Sequence, residues 1–283
     1  MLPVPTLDHV VVNVRDQMDL AVDTYRRLGF TMTPRGYHTL GSMNHLAMFG
    51  TDYLELIAVD PQAAKPRADV MQFPCGLNGL VFGTEDSAAT YAACAAAGVA
   101  VAPPVEFSRP VILPEGTRDA VFRTVHLAPG TIPSGRIYFC QHFTRDLVWR
   151  DEWRQHANGV VGIERAMIVA DDIDAPADVF ARMFGADAVV PIAGGRRLAV
   201  GLTSFDIITP TACADRFGDA APAPGGRAQY MAGLSLRCRS LDQVAAALTA
   251  GGITGWLRSD RRVLVPAQSA MGTALEFTVA ALD

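Results

Sequence analysis

Apolar and polar positions along this chain recur in the same order four times. The run Leu7-Asp8-His9-Val10-Val11-Val12-Asn13-Val14 has the length and β-branched content of a strand. Asp16 is placed to cap a helix over 17–28, where Leu20, Ala21, Tyr25 and Leu28 keep helical spacing, and Gly29 is placed to end it. Strands are then predicted at Phe30 to Pro34, Asn44 to Phe49 and Tyr53 to Val59, the last two joined through Gly50-Thr51-Asp52 as a hairpin. The unit is βαβββ.

The second copy runs from Leu77 to Gly83 into an alanine-rich helix opened by Asp86-Ser87 and closed at Gly98. Strands follow near Val101 to Phe107, Val121 to Leu127 and Arg136 to Phe143. A loop from Ser108 to Arg118, rich in Pro and Gly, is expected over a pocket mouth. The third copy has Ile163 to Ala170, a helix Ala175 to Phe184 and strands ending at Ile208; the fourth runs from Leu234 through a helix Leu241 to Ala250 to Ala274–Thr278. A unit of about 60 residues cannot bury a core alone, so the copies must pack around shared faces. The polar, aromatic segment 144–159 divides the chain into an N-terminal domain 1–143 and a C-terminal domain 160–283.

Composition narrows the partners. Half of the 283 residues are hydrophobic and the net charge is −5, with the basic residues scattered, which argues against a nucleic-acid surface. No apolar run approaches a membrane span and the start lacks the pattern of a signal peptide, so no membrane association and a cytoplasmic location are expected. The five cysteines form no Cys-x-x-Cys pair and read as buried reduced thiols. A small-molecule substrate is the expected partner, with a homodimer as a candidate assembly.

A chain of βαβββ units that begins Leu7-Asp8-His9, passes through Leu40-Gly41-Ser42-Met43-Asn44-His45-Leu46 and closes on Tyr53-Leu54-Glu55-Leu56 resembles the vicinal oxygen chelate superfamily, and within it the bacterial glyoxalase-like domain proteins. The resemblance covers nearly the whole chain. It implies an α+β fold of four βαβββ repeats paired into two cupped mixed sheets. It also implies a divalent metal in a cup, held by residues from the first and last strands of each unit.

Carried onto this sequence, that pattern puts metal ligands at His9 and Glu55. In the second unit the first-strand position is Gly79, which has no donor, so His142 on the last strand is the expected third ligand. Strand alternation agrees for the first unit: Val10, Val12, Leu54 and Leu56 pack under the helix, which turns His9 and Glu55 to the cup. A three-residue hairpin turn puts His45 on the face of Glu55, whereas a two-residue turn inverts it. Two imidazoles and a carboxylate suit Fe, Mn, Ni or Zn and leave room for a chelating substrate.

His45 and Asn44 are candidate catalytic groups that orient substrate or move a proton. His38 either lines the pocket mouth or is an exposed loop residue, and His126 reads as a strand residue facing solvent. Trp149 and Arg150 either close over substrate, with Trp153 and His156, or join the two halves. Glu276 repeats the Glu55 position, but the second half has no histidine partner and reads as structural. The leading expectation is a metal-dependent lyase, isomerase or dioxygenase acting on a small molecule with vicinal oxygens; the alternative is a metal-free binding or resistance protein.

Overall fold

The computed structural model describes residues 2–279. The first unit comprises β1 (Leu7–Asn13), α1 (Met18–Arg27), β2 (Gly36–His38), β3 (Ser42–Met48) and β4 (Tyr53–Val59). The second comprises β5 (Gly76–Gly83), α2 (Ser87–Ala96), β6 (Val105–Leu113), β7 (Gly116–His126) and β8 (Arg136–His142). The third has β9 (Val160–Ala170), α3 (Asp174–Phe184), β10 (Val189–Ile192), β11 (Gly195–Val200) and β12 (Thr203–Ile208), followed by an added helix α4 (Pro210–Phe217). The fourth has β13 (Gln229–Cys238), α5 (Leu241–Ala250), β14 (Leu257–Arg258), β15 (Arg262–Val265) and β16 (Ala274–Val279).

Each pair of units makes one eight-stranded mixed sheet, in the orders β2-β3-β4-β1-β5-β8-β7-β6 and β10-β11-β12-β9-β13-β16-β15-β14. The first strands of paired units lie antiparallel at the centre, and each runs parallel to the last strand of its own unit. The faces that carry the helices share one apolar core. Phe82 of β5 meets Phe180 and Phe184 of α3 and Phe205 of β12, and Phe30 stacks on Phe277 of β16. Neither half buries its helices without the other. The opposite face of the first sheet forms a separate cluster that includes Val11, Leu46, Val81 and Phe122, and this is the cup.

Several boundaries differ from expectation for identifiable reasons. Residues Phe30 to Pro34 are not a strand. The Phe30 amide closes the end of α1, the Thr31 amide donates to His156 Nδ1, the Thr33 amide donates to Leu46 and Pro34 has no amide. The ladder is taken up instead at β2. Asp16 does not cap α1; Gln17 holds the cap position without a side-chain bond, while Asp86 caps α2 by accepting from the Ala88 and Ala89 amides. The expected loop 108–118 is mostly paired, since β6 and β7 form a long hairpin that turns between Leu113 and Gly116. All five cysteines are free of disulfides.

Candidate active site

The site begins with an irregularity in β1. Its pairing with β5 slips between Leu7 and His9, and a bulge of this kind turns consecutive side chains toward one side. Asp8 and His9 share that side. His9 Nδ1 donates to Asp8 Oδ1 at 2.6 Å, which places the proton on Nδ1 and leaves the Nε2 lone pair for other partners. The Tyr138 hydroxyl donates to Nε2 at 3.1 Å, and Glu55 Oε2 lies 3.7 Å from it. The Tyr53 ring stacks on the imidazole at 4.4 Å between centroids and fixes its plane.

Asp8 also lies 3.1 Å from His142 Nε2. Burial alone would raise its pKa, but the two imidazoles outweigh burial and hold the carboxyl well below the usual range. Glu55 behaves similarly: burial opposes ionisation, and His9, His38 and a hydrogen bond from Asn44 overcome it. Asn44 Nδ2 donates to Glu55 Oε1 at 2.7 Å and lies 3.2 Å from His38 Nε2, while His38 Nδ1 faces Ser42 Oγ at 2.9 Å. Burial pushes His38 down to about 4 against the attraction of Glu55. Burial also raises the Tyr138 hydroxyl well above its ordinary value, with Glu55 adding to the effect, so Tyr138 is a neutral donor at pH 7.

These groups line a cavity of about 240 Å³, near the small end of ligand pockets. Its walls include Leu46, Ile57, Val105, Phe107, Phe122 and Val148, and its remaining polar groups include Arg67, Arg109, Thr124 and His126. Segment 144–159 contributes a roof, with Leu147 and Val148 buried in the cup cluster and Trp149 and Trp153 packed against it. His126 does not face solvent as expected. It stacks on Tyr138 at 4.3 Å, and burial drives its pKa down to about 3.

The sequence-derived candidates separate into two groups. His9, Glu55, Asn44 and His38 come together at the cavity, and His38 belongs to β2 rather than to an exposed loop. His45 does not join them. The Phe49 amide bonds to Asp52 O across a two-residue Gly50-Thr51 turn, so Leu46 pairs with Glu55 and His45 points to the other face, toward Thr33 O and Arg35. Trp149 packs edge-on against Tyr53 and His142 as part of the roof. Arg150 pairs with Glu152 and lies outside the cavity lining, and His156 is buried at the seam, donating to Met48 O. Asp8, Tyr138 and Arg109 were not singled out from the sequence. Tyr138 was within reach, because β8 is the last strand of its unit and Tyr138 there matches Glu55 in β4.

The donors can be tested against the divalent ion that the superfamily pattern implies. Its four positions fall, by strand register, on His9, Glu55, Gly79 and Tyr138. A side chain at Gly79 would begin 2.8 Å from Val11 Cβ, and the Tyr138 hydroxyl occupies hydrogen-bonding distance, 3.1 Å, of the nitrogen that would bind the ion. His142 meets Asp8 on the Nδ1 side of His9, away from Glu55. The floor therefore offers two convergent donors, His9 Nε2 and Glu55, and does not fit a resident ion held by three protein ligands. Among the described residues, Asp8, Cys140 and His142 bring three donor atoms within 4.8 Å of one another. There Asp8 is already shared by two imidazoles, and in the absence of an ion burial raises the Cys140 thiol well above its usual value.

The fold and this floor of first-strand and last-strand residues define a member of the glyoxalase/dioxygenase superfamily. The sequence profile of the glyoxalase-like domain matches residues 7–184, and the chain belongs to that family. No curated protein matches the sequence. A hypothetical protein from Staphylococcus aureus has a similar structure, with TM-score 0.68 and 12% identity over 98% of this chain and 100% of that one. A mutant 4-hydroxymandelate synthase from Streptomyces coelicolor is similar over 99% of this chain and 95% of its own, with TM-score 0.59 and 14% identity. A xylose isomerase-like TIM barrel/4-hydroxyphenylpyruvate dioxygenase fusion protein matches all of this chain with 51% of its own length, at 13% identity and TM-score 0.58. At these identities the likeness establishes the fold. Among the described residues no helix is long and apolar enough to cross a membrane.

Proposed function

We propose that the chain is an enzyme of small-molecule proton transfer, working in the cup of the first sheet with His9 as its general base. The observation that carries this reading is the line Asp8–His9–Tyr138, with 2.6 Å from Asp8 Oδ1 to Nδ1 and 3.1 Å from Nε2 to the Tyr138 hydroxyl. Asp8 fixes the tautomer and stabilises the imidazolium that forms when Nε2 accepts a proton. A substrate oxygen placed beside Tyr138 takes the hydroxyl's hydrogen bond, which frees Nε2 to accept a proton from the neighbouring carbon. The enolate oxygen so formed faces a neutral donor in a poorly solvated site, where such a hydrogen bond is most effective. Returning the proton from His9 to the other carbon, while Glu55 takes the hydroxyl proton of the second oxygen and passes it to the enolate oxygen, completes an isomerisation; in an elimination the leaving group instead departs with the proton carried by the His9 imidazolium. Glu55, held by Asn44, binds the second substrate hydroxyl.

The test is a screen of small α-hydroxycarbonyl compounds for solvent-deuterium incorporation at the carbon, using protein purified without chelator or histidine tag and analysed for metals. Exchange by wild type that is lost in His9→Gln and Tyr138→Phe supports the proposal. One Fe, Mn, Ni or Zn ion per chain, lost in both His9→Ala and Glu55→Ala, overturns it in favour of a metal-dependent reaction.

A further inference from the structure

Arg109 is the cavity arginine that no described protein group bonds; Glu55 in the same cavity favours its charge only through space. Arg109 lies in β6, is 5% exposed and lines the cavity, yet among the described residues its guanidinium makes no hydrogen bond and no ion pair. Arg67 at the same cavity pairs with Asp69, and buried Arg136 bonds Asn78. Glu55, the carboxylate in the same cavity, is held instead by Asn44. A guanidinium that opens onto a small cavity and finds no hydrogen-bonding protein group there is poorly compensated, and a planar fork of donors is best matched by a carboxylate.

The backbone makes room for this charge. At Gly36 of β2, a Cβ would lie 2.5 Å from Asn44 Oδ1 and 2.9 Å from Arg109 Cδ, so only glycine lets Arg109 lie over the strand beside Asn44. The adjoining surface is flat and apolar. Phe107 and Phe122 stack at 5.2 Å, and Leu46 and Val148 complete the wall.

We infer that Arg109 is the anion anchor of the first cup and that the molecule bound there is a small, flat, largely apolar monocarboxylate. This rests on the first cup being the working site, and it adds the class of its ligand. Arg67 is taken up by Asp69 and Asn44 by Glu55, so Arg109 is the guanidinium left to meet a ligand, which suits a single negative charge better than a phosphate dianion.

Calorimetric titration of the full chain with benzoate and phenylacetate, beside benzamide, phenylacetamide and phenyl phosphate, tests the inference. Each carboxylate is expected to bind at least ~30-fold more tightly than its amide in wild type, with that preference gone in Arg109→Gln and partly kept in Arg109→Lys. Arg109→Met is expected to melt no lower than wild type, because it removes an unpartnered charge; a merely structural arginine would lower the melting temperature. Binding is read separately from deuterium exchange, so an acid-over-amide preference in a wild type that exchanges no deuterium keeps the anchor and sinks only the reading of His9 as base. Equal binding of acids and amides, tighter binding of phenyl phosphate, or unchanged benzoate binding in Arg109→Gln overturns the inference.

Discussion

The two cups share one frame and treat charge in opposite ways. In the first, His9 stands beside Tyr53 across β1 and β4, and Glu55 follows two residues along. In the second, Arg165 stands beside Ser204 across β9 and β12, and Asp206 follows two residues along. Arg165 lies 3.2 Å from Asp206, which also receives Arg197 at 2.7 Å. Where the first cup has Tyr138, the second has Glu276, bonded by Ser235, Arg216 and Arg262. The second cup is also filled: Cys213 and Phe217 of α4 pack with Met167, Ile208 and Tyr230. Every carboxylate on the second floor is neutralised within the chain, while the first floor leaves an imidazole nitrogen, a phenol and a guanidinium turned toward a cavity. Repetition builds both cups, and the pairing of charges separates a support from a site.

The largest expected effect breaks the first floor alone. His9→Gln and Asp8→Asn should each lower kcat/KM by roughly 100- to 10,000-fold on any compound the wild type turns over, the range of general acid–base catalysis. Arg165→Gln, at the matching rung, should leave kcat/KM within about twofold while lowering stability. Equal losses from the two cups would remove the distinction between them.

A smaller effect concerns stability. Glu276→Gln unpairs two partly exposed arginines and should cost about 2 kcal/mol in urea unfolding, discounted for their contact with water. Glu55→Gln, which disturbs no arginine pair, should cost less; the reverse order would contradict the assignment of roles.

Acid separates the halves further, because all six histidines precede residue 157. His38 and His126 titrate near 4 and 3 in the folded chain against about 6.5 when unfolded, so the unfolded state binds more protons in that window. Stability should therefore fall as pH drops from about 6.5 toward 4. The depressed carboxyls Asp8 and Glu55 extend the loss below about 4. Hydrogen exchange at pH 5 should rise in β2, β3 and β7 before β11 and β15, and uniform loosening would count against this. The smallest effect is Ser235→Ala, expected to cost about 1 kcal/mol because Glu276 keeps both arginines. A loss above 2 kcal/mol in chemical denaturation would show that the hydroxyl organises the pair.

What could be read from the sequence was what alternation and repetition determine. The βαβββ order, the buried faces of β1 and β4, and the placing of His9 and Glu55 on one face all follow from a period of two. What escaped depends on single steps of backbone. One residue more or less in the turn at Gly50 decides whether Asn44 or His45 faces the cup. One slipped pair in β1 brings Asp8 round to His9, against the alternation rule. The pairing of β6 with β7 was hidden because proline and glycine read as loop, although Pro110 is accommodated within β6 and Gly116 opens β7. Arg109 was invisible for a related reason, since nothing in sequence shows that a buried cation has no partner.

Segment 144–159 looks like a spacer, and in the structure it is the ceiling over the ligand space. The one stretch of backbone that joins the two halves thus also covers part of the cavity, with Val148 in its lining, which ties two motions together. A shear of one sheet against the other pulls on Leu147, Val148 and Trp149, and a molecule lodged beneath them stiffens the joint. Occupancy of the cup should therefore be felt as rigidity between the halves, and a chain severed at Phe143 would lose its roof along with its neighbour.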